Sequence, residues 1–142
     1  MNKKVKISDI VTSIEAQSAE TFAYLNLLTY EINFTVSKLN KSTSWTRDLK
    51  TAEDLEFDND YLFLPTLHDF HEHQVMVDFS RTTSPEIAER LLSVLFKKGA
   101  FKNFRKMLER FFLVDKWHRY KDEKLRELAI NWCKKNKLNY EE

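Results

Sequence analysis

The sequence predicts an α+β fold: an N-terminal helix, a small antiparallel sheet built from a hairpin and a third strand, and a helical C-terminal half of about four helices. Three observations carry this expectation. Ile7, Ile10, Val11 and Ile14 recur at i, i+3, i+4 and i+7, the spacing that lines one face of a helix. Ile32, Phe34 and Val36 alternate with Glu31, Asn33 and Thr35, the period of a strand with one wet face. From Ser84 onward, helix start and stop signals bracket apolar stripes of helical spacing.

Residues 8–17 read as the first helix, with Ser8 as its N-cap. Residues 21–27 and 31–37 read as hairpin strands joined at Leu28-Thr29-Tyr30. No glycine is available there to take a positive φ, so a longer or strained turn is expected. Residues 38–60 are polar, lack a clean period and read as a long loop that carries Trp45. Tyr61-Leu62-Phe63-Leu64, stopped by Pro65, suits the third strand. A helix capped by Thr66 or Asp69 then runs to about Ser80, although Val75-Met76-Val77-Asp78-Phe79 also alternates like a strand.

Ser84-Pro85-Glu86 starts the next helix: a capping hydroxyl, a proline at the first helical position, and an acid near the positive dipole end. Ile87, Leu91, Val94 and Leu95 give its buried stripe, and Lys97-Lys98-Gly99 its end, with the glycine as a left-handed cap. Phe101, Phe104, Leu108, Phe111 and Phe112 form the following stripe, opposite Lys102, Arg105, Lys106 and Glu109. The last helix runs from about Asp115 to Lys135, with Trp117, Tyr120, Leu125, Leu128, Ala129 and Trp132 on one side.

A chain of 142 residues suits a single domain over 1–142. Within it, residues 1–65 hold the helix and sheet, and residues 66–142 the helical part. One glycine and two prolines exclude collagen-like and low-complexity chains. No stretch is long and apolar enough to span a bilayer. No apolar core follows Met1-Asn2-Lys3-Lys4 as a signal peptide requires, and a cytoplasmic protein is expected. A single cysteine, Cys133, excludes an internal disulfide and any cysteine-cluster metal site, and it reads as a small buried apolar residue.

The order of segments resembles the bacterial uncharacterised protein family 0158 (UPF0158) over nearly the whole chain. The resemblance rests on Lys6-Ile7-Ser8-Asp9-Ile10-Val11, Tyr24-Leu25-Asn26 and Met76-Val77-Asp78-Phe79. It continues in Lys98-Gly99-Ala100-Phe101-Lys102-Asn103-Phe104, in Trp117 with Tyr120, and in Leu125-Arg126-Glu127-Leu128-Ala129-Ile130-Asn131-Trp132-Cys133. The family resembled carries a Thr-Gly type of hairpin turn where this chain has Thr29-Tyr30. The resemblance implies a single-domain architecture and a bacterial origin. It implies no mechanism, and no catalytic residue carries over.

Charge is uneven along the chain. Residues 1–70 hold 7 Lys/Arg against 11 Asp/Glu, and residues 71–142 hold 16 against 11. Residues 97–110 alone carry six basic residues and one acid. Several cations on one surface are what phosphate or carboxylate recognition requires. Lys98, Lys102, Arg105, Lys106 and Arg110 are therefore the candidate binding residues, for an acidic protein surface or a nucleic acid and not for a membrane. The leading reading is a non-enzymatic interaction or regulatory domain.

The alternative is a small metal-dependent hydrolase or nuclease using His68, His71 and His73. The zincin pattern is absent from that segment, because His73 follows Glu72 directly. The acidic run Asp54–Asp60 lacks the glycine and glutamate that an EF-hand needs at its sixth and twelfth positions. One glycine also excludes the usual phosphate loop and dinucleotide fingerprint, so no cofactor is expected. Trp117 and Tyr120 read as core, with His118 and Arg119 facing water. Phe57, Phe63 and Phe70 read as either core or an exposed association patch.

Overall fold

The computed structural model describes residues 3–37 and 50–142. The fold is mixed α+β, with a helical C-terminal half. Two compact units are present: residues 1–69 with 126–142, and residues 70–125.

The first unit opens with β1 (Val5–Lys6) and α1 (Ile7–Ala16). Ile7, Ile10, Val11 and Ile14 are all buried, as their spacing predicts. Lys6, not Ser8, is the capping residue, and the Ser8 carbonyl accepts a bond from the Thr12 hydroxyl inside the helix. β2 (Thr21–Asn26) and β3 (Ile32–Val36) form the antiparallel hairpin, in register from Thr21 opposite Val36 to Leu25 opposite Ile32. β4 (Tyr61–Phe63) pairs with the other edge of β2, so the sheet order is β3-β2-β4. This is the expected small antiparallel sheet, but Thr35, which the alternation places on the wet face, is buried, with its hydroxyl donating to the Lys50 carbonyl.

The hairpin turn closes without glycine. The Asn26 side chain accepts bonds from the amides of Leu28 (2.9 Å) and Thr29 (3.3 Å), and Tyr30 takes φ +61°. Tyr30 thus occupies the left-handed conformation that a glycine adopts without a Cβ penalty. Replacing Tyr30 by Gly is expected to raise the unfolding free energy by roughly 0.5–1 kcal/mol. A urea titration checks this, and a loss of stability would show that the tyrosine ring outweighs its backbone strain.

Two features of this unit depart from the sequence reading. The segment read as loop contains a short helix, α2 (Ala52–Glu56), whose only buried residue is Leu55. Asp54 secures its start by accepting bonds from both the amide (3.0 Å) and the hydroxyl (2.9 Å) of Thr51. Residues 38–49, and Trp45 with them, lie outside the described residues. In addition, β5 (Tyr140–Glu141) pairs in parallel with β1. Such pairing of distant dipeptides has no local sequence signal.

The helix expected to Ser80 is two helices, α3 (Leu67–Phe70) and α4 (Glu72–Ser80). His71 between them sits at φ +53°, and a left-handed residue cannot continue a right-handed helix. Thr66 is the cap of α3: its amide and hydroxyl donate to Asp69, and the Asp69 amide returns a bond to its hydroxyl. Val75–Phe79 is helical despite its alternation, with Met76, Val77 and Phe79 buried.

The second unit packs α4, α5 (Pro85–Leu95), α6 (Ala100–Arg110) and the first part of α7 (Val114–Lys135). Its core joins Phe79, Leu91, Leu95, Phe104, Leu108 and Trp117. Two expectations are corrected here. Gly99, at φ +76°, caps the start of α6, with its carbonyl accepting from the Asn103 amide; Phe96 ends α5. Of the predicted α6 stripe, only Phe104 and Leu108 are buried, Phe111 is half-buried, and Phe101 and Phe112 are exposed. Phe112 lies beyond the helix end in a left-handed conformation.

α7 buries Trp117, Leu125, Ala129 and Cys133, while Tyr120, Leu128 and Trp132 are half-buried. Burial pushes the Cys133 thiol up to about 11, and burial together with the neighbouring Tyr61 raises Tyr24. Both groups have the same consequence for stability. As pH rises, the unfolded chain releases these protons first, so their contribution is complete below the unfolded thiol value and is lost as pH rises through the folded one. The contribution of these two groups is expected to hold up to about pH 9 and to fall between about pH 9 and 11, by roughly 1–3 kcal/mol. Urea midpoints across that range check it. Cys133→Ala should flatten part of the slope, and an unchanged slope would remove the thiol from the account.

Candidate functional site

α6 carries the predicted basic face. Its apolar positions Phe104 and Leu108 are buried in the second unit, which sets Lys102, Arg105, Lys106 and Arg110 outward. All four are exposed, as is Lys98 in the turn before the helix. Lys102, Lys106 and Arg110 stand one turn apart in succession, and Arg105 is three residues from Lys102, so neighbouring cations share a surface. Among the described residues, none of the five cations enters an ion pair. Glu109 is the one acid among them.

The placement of these charges does not serve the helix itself. The first turn of α6 has no acid and contains Lys102, preceded by Lys97 and Lys98. Cations at the positive end of a helix dipole cost about 0.3–1 kcal/mol each at low ionic strength. Only Arg110, in the last turn, complements the dipole.

The three histidines are not assembled into a metal centre. Among the described residues, no group of three or more His, Cys, Asp or Glu side chains is placed to hold an ion. His68 belongs to the first unit, and His71 and His73 to the second. The backbone turn at His71 separates its helix from that of His68, and the His73 ring is committed elsewhere: its Nε2 donates to the Leu95 carbonyl at 2.6 Å. The acidic run is also partly used locally, since Asp54 caps α2, and Asp58 accepts from the Asp60 amide and lies 3.9 Å from Lys50.

Sequence reasoning missed the aromatic residues that accompany the cations. Phe96 is 70% exposed and Phe101 51% exposed. Both rings meet the His73 imidazole edge-on, at 5.6 Å and 6.4 Å between centroids. The position of Phe96 does contain a signal: at a helical repeat it falls opposite the Ile87, Leu91 and Leu95 stripe. Phe101 sits at the edge of its stripe, where periodicity does not decide burial.

A cleft of about 330 Å³ adjoins this face. Met76, Phe104, Leu108 and Trp117 line its apolar part, and Arg105 and His118 are among its polar lining. Glu72 and Lys121, which also line it, are paired at 2.9 Å. As predicted, Trp117 is core and His118 and Arg119 are exposed. Phe70 is buried, Phe63 half-buried, and Phe57 exposed.

The fold and this surface define a mixed α+β protein with an exposed basic helix face that has no ion pair among the described residues. The chain belongs to the uncharacterised protein family UPF0158, whose family model matches residues 20–141. No curated protein and no solved structure matches it. Among the described residues, no helix is long and apolar enough to cross a membrane.

Proposed function

We infer that this protein is a non-enzymatic interaction domain that binds an anionic macromolecule through Lys98, Lys102, Arg105, Lys106 and Arg110. One observation supports the reading above others: these cations are exposed, share a surface and have no ion-pair partner among the described residues. The placement of Lys98 and Lys102 at the N-terminal end of α6 costs helix stability, and an anionic ligand would offset that cost. The reading treats residues 1–142 as one domain, since α7 contributes residues to both compact units.

The test is affinity capture from a bacterial lysate with wild type beside the Lys102→Glu/Arg105→Glu/Lys106→Glu variant. Captured material is analysed for protein and for nucleic acid. A species retained by wild type and lost by the variant is expected. The same catch with both proteins, or none with either, would remove the basic face as the binding site.

A further inference from the structure

We propose that Phe96 and Phe101, with the lysines beside them, form a stacking platform for single-stranded nucleic acid. The inference rests on the anion-binding reading of α6 and names the class of partner. The Phe96 ring stands largely in water and the Phe101 ring about half so, and each is followed in the chain by an exposed lysine.

The two rings are held rather than loose. Both pack against the His73 ring, at interplanar angles of 76° and 65°, and His73 is fixed by its bond to the Leu95 carbonyl. A pair ordered before binding loses little conformational freedom when a ligand arrives. Lys97 and Lys98 follow Phe96, and Lys102 follows Phe101; all three lysines are exposed. Ring and cation therefore alternate along this segment.

That alternation matches the chemistry of a polynucleotide strand. Each nucleotide carries one flat π face and one negative phosphate, and proteins that bind single strands pair stacking rings with a basic track. A duplex keeps its base faces internally stacked, so only its phosphates could be engaged. An acidic peptide would satisfy the lysines and leave the rings without a stacking partner. A symmetric contact with a second copy centred on these rings would bring two copies of the same lysine cluster together, and like charges disfavour it.

The test is fluorescence anisotropy at low salt with a short labelled oligouridylate. An abasic strand of equal length, a duplex and poly-L-glutamate serve as competing probes. Wild type is expected to prefer the oligouridylate to all three. Phe96→Ala and Phe101→Ala should each weaken oligouridylate binding about tenfold, the range of one base–aromatic stack. They should leave poly-L-glutamate binding unchanged. Phe101→Trp should keep the affinity and show quenched tryptophan emission when the strand binds, a readout that does not depend on the alanine variants. Equal affinity for the abasic strand, with no effect of the alanine changes, would overturn the nucleic-acid inference and leave the basic face standing. Tighter binding of poly-L-glutamate would do the same and point to an acidic protein. No affinity for any polyanion would overturn both.

Discussion

Replacing Phe104 by Ala is expected to lower the unfolding free energy by about 3–5 kcal/mol, the range for a fully buried phenylalanine. Phe104 is 1% exposed. It meets Trp117 edge-on at 5.3 Å and 83°, and Phe79 at 6.5 Å and 84°. Phe79 in turn meets Trp117 at 5.4 Å. Removing the Phe104 ring leaves a cavity bordered by two large aromatics that cannot both collapse into it, and it removes two edge-to-face interactions. A domain of ordinary stability holds about 5–15 kcal/mol, so this single change takes a large share of it. Denaturant unfolding, followed by tryptophan emission, measures the loss. Phe112→Ala is the matched control: that ring is 92% exposed, and its removal should cost less than about 0.5 kcal/mol. Similar losses at the two positions would contradict the assignment of the core.

Reversing Lys102, Arg105 and Lys106 together is expected to weaken polyanion binding at least about 100-fold at low salt. Each change removes an attraction to a negative group and installs a repulsion in its place. For a single strand, the dependence of affinity on salt should fall by about 0.7 in log–log slope for each phosphate no longer neutralised. The same variant should fold normally, because none of the three cations is ion-paired among the described residues. Lys102→Glu also places an acid in the first turn of α6, which favours the helix dipole by about 0.3–1 kcal/mol. A variant that keeps or raises its melting temperature while losing its ligand separates the binding role from a structural one. A variant that binds as wild type does would place the site elsewhere.

Much of the fold can be read from local periodicity, and the exceptions have identifiable causes. α1, α5 and α7 each present several apolar residues at a helical period, so the side they bury follows from spacing, whereas β4 is a contiguous half-buried run and Thr35, on the polar positions of β3, is buried. α2 escapes because five residues with one buried leucine carry no period. The break at His71 depends on one backbone angle in a residue whose neighbours are all compatible with helix. The β1–β5 pair joins dipeptides from the two ends of the chain, and only tertiary structure brings them together. Gly99 is recognisable as a left-handed position, but adjacent helices share the turn, and it caps the second rather than the first.

The candidate site divides in the same way. Lys98, Lys102, Arg105, Lys106 and Arg110 are readable because the polar side of an amphipathic helix faces water once its apolar side is buried. Phe96 and Phe101 are not, because an aromatic residue near an apolar stripe is ordinarily read as part of the core. Only the packing of α4 against α5 and α6, through His73, shows that both rings stay outside it. Among the described residues the histidines form no metal-holding group, and the left-handed backbone at His71 interrupts the single helix on which that reading placed them as neighbours.

The most direct measurement is an amide chemical-shift titration of isotope-labelled protein with a short oligouridylate at low salt. Saturable shifts confined to Phe96–Arg110 and the adjoining start of α4 are the predicted result. Shifts centred elsewhere, or none at ligand excess, would contradict the assignment of a binding face to α6.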